Sequence, residues 1–185
     1  MFSLLIGLWE YLFKTPSLHI LIIGLDYAGK SSILERIKAQ YGPKTAHVIP
    51  MDRIPPTIGM NIAKIKHMGA QIVFWDLGGQ SKMRSIWERY YNAANGVIFV
   101  VDATDNGRLQ EAKREFEGVL HHDVMNKVPM VILANKQDLN HALSAEDLAH
   151  FFQQGVDQLT AKAFPVSALT GCILYYFILI RLLVI

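Results

Sequence analysis

An α/β fold, with a mostly parallel six-stranded sheet covered by helices on both faces, is predicted by three features of these 185 residues. Apolar runs of strand length alternate with segments of helical periodicity, the pattern of right-handed crossovers. Runs such as Gly96-Val97-Ile98-Phe99-Val100-Val101-Asp102 are continuously apolar, as expected of strands buried on both faces. The polar motifs follow these runs directly, and an open α/β sheet gathers ligands at the carboxyl ends of its strands.

The first run, Leu18-His19-Ile20-Leu21-Ile22-Ile23, leads into Gly24-Leu25-Asp26-Tyr27-Ala28-Gly29-Lys30-Ser31 and then Ser32-Ile33-Leu34-Glu35-Arg36-Ile37. Strand, glycine-bounded loop and helix with G-x-x-x-x-G-K-S in the loop make a phosphate-binding loop. Its glycines let backbone N–H groups turn inward on an anion, and the helix N-terminus adds roughly half a positive charge. Lys30 can reach the β/γ-phosphates, and the Ser31 hydroxyl can ligate Mg²⁺.

Ahead of this loop, residues 1–14 place Ser3, Gly7, Glu10 and Lys14 on one helical stripe, with apolar side chains elsewhere. That is a helix with more apolar face than one domain edge buries, suited either to the core or to a bilayer interface. Thr15-Pro16 ends it. Phe at position 2 removes an N-myristoylation signal, and the apolar start lacks the basic region and cleavage site of a signal peptide.

Beyond the loop helix, Tyr41-Gly42-Pro43 opens an irregular stretch that runs to Pro55-Pro56-Thr57-Ile58-Gly59-Met60-Asn61. A connection this long is usually functional. Residues 61–66 and 71–76, joined around Met68-Gly69, read as a hairpin. After the strand at 96–102, Leu109, Ala112, Phe116, Val119 and Leu120 recur at helical spacing. Residues 128–134 form another buried strand, with Pro129 tolerated near its start. Ser144 and Asp147 resemble a capping box for a helix through Leu148, Phe151 and Phe152, and a short strand near 163–166 precedes Ser167-Ala168-Leu169.

Composition narrows the function. A net charge of +2 with no basic run excludes a nucleic-acid footprint, and the single Cys172 allows no intrachain disulfide and suits a reducing compartment. The length suits one domain with a sizeable core.

Three further motifs share the strand ends with the phosphate loop. Asp76 closes a strand, as a carboxylate holding Mg²⁺ through water would, and Thr57 can offer a second metal-ligating hydroxyl. Gly78 and Gly79 allow close approach to a γ-phosphate, and Gln80 is placed to position the attacking water. Asn135, Lys136 and Asp138 supply an amide, an aliphatic stem and a carboxylate that accepts both N1–H and N2–H₂ of guanine.

With GLDYAGKS, PPTIGMN, WDLGGQ, NKQD and SAL in this order behind an amphipathic helix, the chain resembles the Arf/Arf-like small GTPases, and most the Arf-related branch. The resemblance covers residues 1–171. It implies a Ras-like fold divided into an N-terminal helix (1–15), a GTPase domain (16–171) and an atypical apolar segment (172–185). It also implies GTP/GDP and Mg²⁺ as cofactors, bound by Gly24 to Ser32, Thr57, Asp76, Gly79, Asn135, Lys136, Asp138, Ser167 and Ala168. Ser31 and Thr57 are then the metal ligands and Gln80 the catalytic residue. Thr57 belongs to switch I, Gly79 and Gln80 to switch II, and residues 61–74 to the hairpin between them. Asp26 in the loop also fits the family, and the extra length between Lys30 and Thr57 matches the Arf-related branch. In the family the hairpin slides on nucleotide exchange and ejects the N-terminal helix, which links membrane binding to GTP.

The implied partners are an exchange factor, a GTPase-activating protein and effectors reading Met60, Trp75 and Tyr90, the Met departing from the Arf pattern. A further partner is a Golgi membrane surface or receptor met by residues 1–14. The expected protein is a monomer that cycles from cytoplasm to Golgi and trans-Golgi membranes in vesicle traffic. With no arginine in the phosphate loop, intrinsic hydrolysis should be slow. The family continues past Gly171 into an amphipathic helix. Here residues 172–185 carry Arg181 as their only charge and would extend about 21 Å as a helix, short of the roughly 30 Å hydrocarbon core. An atypical gene-model end, a docked helix and a membrane anchor are all open. The rivals are a nucleotide-locked scaffold with a non-functional C-terminal end, disfavoured by Lys30, Ser31, Thr57 and Gln80, and an ATP-using enzyme, disfavoured by N-K-x-D.

Overall fold

Alternating burial on the first strand sets the two-sided architecture. In β1 (Ser17–Ile23), Leu21 and Ile23 face one hydrophobic cluster and Ile20 and Ile22 the other, all four with no exposed surface. Period-two side-chain placement requires this when both faces of a strand are covered. The computed structural model describes residues 16–67, 69–154 and 161–172. The expected N-terminal helix, Met68 of the hairpin turn and the segment after Cys172 lie outside the described residues.

The strands that follow are β2 (Met60–His67), β3 (Ala70–Leu77), β4 (Gly96–Asp102), β5 (Met130–Asn135) and β6 (Lys162–Pro165). They form one six-stranded sheet in the order β2-β3-β1-β4-β5-β6. Only the β2–β3 hairpin is antiparallel; β1–β3, β1–β4, β4–β5 and β5–β6 are parallel. The expected mostly parallel six-stranded sheet is the one observed, as in the Ras-like small GTPase fold.

Among the described residues four helices accompany the sheet: α1 (Lys30–Tyr41), the single turn α2 (Glu88–Tyr91), α3 (Leu109–Leu120) and α4 (Ala145–Gln153). Helix α1 packs Ile33, Leu34 and Ile37 against Ile20, Ile22 and Phe74 on one face. On the other face Phe116 of α3 and Phe152 of α4 meet edge-to-face at 5.4 Å, and Phe116 meets Phe99 of β4 at 5.2 Å. Each large apolar side chain so buried contributes about 1.5–3 kcal/mol, so these faces fix the sheet that carries the site. Ser144 caps α4 by accepting Asp147 N–H at 3.0 Å and returns its hydroxyl to the Asp147 carboxylate at 2.7 Å. That departs from a full capping box, in which the acidic side chain reaches back to the cap's own N–H.

Several expected strand boundaries shift by one or two residues. Strand β5 begins at Met130 rather than residue 128, because Pro129 has no N–H for the ladder, although its carbonyl still accepts Val97 N–H at 3.0 Å. The stretch between α1 and β2 holds a short 3₁₀ turn, Met51–Arg53. A second 3₁₀ segment, Ser81–Ile86, follows Gln80. Among the described residues no helix is long and apolar enough to cross a membrane.

Candidate functional site

At the carboxyl ends of β1, β3 and β5 lies a cavity of about 560 Å³, bounded on one side by Gly29, Lys30 and Ser31 and on the other by Asn135, Lys136 and Asp138. The chain reaches this geometry through left-handed backbone. Gly24 has φ +137°, and a Cβ there would sit 2.2 Å from the Val100 carbonyl oxygen, so only glycine fits beneath the turn. Tyr27 takes φ 62° and Lys136 φ 69°, two non-glycine residues in a sparsely populated region, and both line the cavity.

The phosphate-loop end is built around Lys30 and Asp76. Lys30 Nζ donates to the Leu25 carbonyl at 2.7 Å. Burial lowers its pKa to about 8, against the opposing pull of the Asp76 and Asp26 carboxylates. Asp76 has no exposed surface, and burial pushes its carboxyl up while Ser31, Lys30 and Thr57 pull it down. Ser31 Oγ donates to Asp76 Oδ2 at 2.6 Å, Thr57 Oγ1 donates to the same oxygen at 3.2 Å, and the two hydroxyls lie 2.6 Å apart. Asp76 Oδ1 is buried with no hydrogen-bond partner among the described residues. Two hydroxyls and a carboxylate with a spare buried acceptor form a hard oxygen donor set that fits Mg²⁺. Thr57 arrives here from the far end of the loop after α1.

Gly79 closes the site from β3. A Cβ on it would lie 2.4 Å from the Gly24 carbonyl and Lys30 Nζ and 2.5 Å from Asp26 N, so its backbone rests directly on the phosphate loop. Gln80 follows as an exposed residue lining the cavity.

At the base end, Asn135 spends its amide on the fold. Its Nδ2 donates to the Ala28 carbonyl at 2.8 Å and its Oδ1 accepts Ala168 N–H at 3.1 Å, which ties the phosphate loop to the loop after β6. Ser167 Oγ donates to Asp138 Oδ1 at 2.5 Å. Lys136 Nζ pairs with Asp102 Oδ2, which holds the turn after β5 against β4. Of the residues expected to bind cofactor, Asp26, Tyr27, Gly29, Lys30, Ser31, Ser32, Thr57, Gly79, Asn135, Lys136, Asp138 and Ala168 line the cavity. Gly24, Leu25, Ala28, Asp76 and Ser167 do not line it.

The Asp102–Lys136 pair gives a pH prediction. Burial raises the Asp102 carboxyl, but hydrogen bonds from Lys136 and Thr104 outweigh it and leave the pKa lowered. A lowered folded-state value contributes stability above the ordinary carboxylate range and loses it as pH falls through the folded value. Asp102→Asn should therefore lower the melting temperature at pH 7, and the gap from wild type should close below about pH 4, as thermal scans at both pH values would read.

Sequence reasoning missed a charge network beneath Gly79. Arg84, 8% exposed, donates from Nε to the Gly79 carbonyl at 2.8 Å and from its two other nitrogens to Glu115 at 2.8 Å and Glu111 at 2.7 Å. Arg108 joins Glu111 to the Asp26 carboxylate, the latter at 2.5 Å. The Asp26 hydrogen bond, the largest influence on Arg108, holds its pKa above the ordinary arginine value. Asp26 thus faces a cation, and Gly79 is pinned from below as well as by the phosphate loop. Met51, Ile54, Pro55 and Pro56 also line the cavity unforeseen, since nothing in their local pattern fixes where a long loop folds back.

Three comparisons bear on this geometry. Residues 6–175 match the model of the ADP-ribosylation factor family. ADP-ribosylation factor-related protein 1 of Rattus norvegicus is 41% identical over 174 residues, which is 92% of this chain and 86% of that protein. ADP-ribosylation factor-like protein 3 of Saccharomyces cerevisiae is 38% identical over 92% of this chain and 87% of its own length. Among solved structures, the Arl6 BBS3 small GTPase from Trypanosoma brucei, with bound nucleotide analogue GppNp, superposes with a TM-score of 0.76. It is 27% identical over 89% of this chain and 95% of that one.

Proposed function

The chain belongs to the ADP-ribosylation factor family of small GTPases, which are GTP hydrolases, and from that premise we propose a Mg²⁺-dependent GTP/GDP switch serving Golgi and vesicle traffic. The observation that carries the switch is the convergence of Ser31, Thr57 and Asp76 at one point while Gly79 rests on Lys30. Thr57 and Gly79 come from two separate loops, and both close on the same end of the cavity. In this reading Lys30 neutralises phosphate charge, and Ser31 and Thr57 hold the metal, with Asp76 behind them. Bound there, Mg²⁺ would supply positive charge to the phosphate oxygens. Gln80 orients the attacking water, and Asp138 accepts the two guanine donors while Ser167 holds its other contact. Release of Thr57 and Gly79 after hydrolysis is the change that partners read.

The effector surface in this proposal is Met60, Trp75 and Tyr90, with Trp75 and Tyr90 rings 5.4 Å apart and His19 stacked on Trp75 at 4.5 Å. Exposed Ile58 and Ile62 adjoin it in sequence and extend its apolar character. The protein acts as a monomer with an exchange factor and an activating protein. In this reading it moves from cytoplasm to Golgi and trans-Golgi membranes through residues 1–14, whose apolar side chains suit a bilayer interface. Flotation of the full chain on liposomes of Golgi composition tests this. Recovery should rise several-fold with a non-hydrolysable GTP analogue over GDP and fall back with Phe2→Ala/Trp9→Ala. Recovery independent of nucleotide would refute the link between switch and membrane.

A further inference from the structure

We propose that Glu35 and Arg36, neighbours on α1, are positioning residues that clasp the two lips of the cavity and set how long guanine nucleotide stays bound. The inference rests on the nucleotide-binding reading of that cavity. Successive helix positions point about 100° apart, so one helix can address two separate loops from adjacent residues.

The first lip is the loop between α1 and β2. Glu35 is 1% exposed, and its carboxylate is divided between Lys38 Nζ at 2.6 Å and the Ile49 N–H at 2.7 Å. A buried carboxylate is costly to keep unless its oxygens are satisfied, and here one oxygen is given to a backbone donor 14 residues away. Among the described residues the other hydrogen bonds and ion pairs of residues 43–56 are local: Ala46 to Pro43, Arg53 to Pro50, and Arg53 with Asp52. Glu35 is therefore a tertiary anchor of this loop before Thr57. Two residues past Ile49 the chain presents Met51 to the cavity, then Ile54, Pro55 and Pro56.

The second lip is the loop after β6. Arg36 Nε donates to the Ala168 carbonyl at 3.0 Å, and its Nη2 to the Leu169 carbonyl. Both residues line the same cavity. Ala168 is fixed from its other side by the Asn135 amide, so Arg36 and Asn135 hold the base loop between them. Helix α1 also begins at Lys30, in the phosphate loop. One rigid element thus carries the phosphate contact and both fasteners, so loosening either charge-assisted hydrogen bond frees one lip of the cavity.

Release of mant-GDP and mant-GppNHp, with Mg²⁺ present and unlabelled nucleotide in excess, tests the clasp. A charge-assisted hydrogen bond is strong enough that Glu35→Ala and Arg36→Ala should each speed release of both by about tenfold. Glu35→Gln keeps an oxygen for Ile49 N–H and should restore release to within about threefold of wild type, a rescue that general loss of packing would not give. Ile49→Pro deletes the donor from the loop side, leaves α1 intact and should match Glu35→Ala; it serves if the buried site does not tolerate alanine. Wild-type release in Arg36→Ala and Ile49→Pro, or equal acceleration in Glu35→Gln and Glu35→Ala, would overturn the clasp with nucleotide binding intact. A wild-type protein that binds no mant-GDP would overturn the underlying reading too.

Discussion

Asp138→Asn should move base preference from guanine to xanthine, with guanine affinity falling by roughly 10⁴-fold, as for sites built on paired hydrogen bonds. A carboxylate accepts both donors of guanine. An amide presents one acceptor and one donor, which opposes the guanine N2–H₂ and suits the xanthine carbonyl. The turn should survive the change, because the amide oxygen can still accept the Ser167 hydroxyl that now bonds Asp138 at 2.5 Å. Asp138 is exposed at the cavity rim, so no core is disturbed. Competition of GDP and xanthosine diphosphate against mant-GDP gives the answer. Unchanged guanine affinity would remove Asp138 from base recognition.

Gln80→Leu should leave GTP bound but slow hydrolysis stimulated by an activating protein about a hundredfold or more, the scale of losing a group that manages the attacking water and its proton. The side chain is exposed, while the backbone before it is fixed by Arg84 on the Gly79 carbonyl and by contact with Lys30. The substitution therefore removes a polar end without moving the loop. Single-turnover phosphate release from preloaded protein, with and without the activator, separates chemistry from binding. Equal rates for wild type and variant would show that another group orients the water.

The network under Gly79 also explains why Asp26 is tolerated beside a phosphate site. Its carboxylate is bonded to Arg108, and Arg108 and Arg84 share Glu111. The negative charge faces this scaffold, and the Asp26 backbone N–H lies by Gly79. Arg84 and Arg108 thus link the phosphate loop, the segment after Gln80 and α3 in one set of ion pairs.

What the sequence determined by itself is whatever short-range physics governs. The phosphate loop was legible because glycine spacing, the apolar run before it and the helical pattern after it all lie within 20 residues. Burial on both faces makes β1, β4 and β5 read as apolar runs, and Asn135, Lys136 and Asp138, a weak signal by spacing alone, become recognisable in register with the other three motifs. Tertiary structure decided the rest, because those contacts join residues far apart with no pattern linking them. It gave the Asn135 amide to Ala28 and Ala168, set Arg108 on Asp26 across 82 residues, and brought Thr57 to Ser31 across 26. It also fixed Glu35 and Arg36 as fasteners, which in sequence are ordinary charges on a helix. A charge in sequence has a sign and a helical face, but its partner is chosen only when the sheet brings distant loops within hydrogen-bond reach.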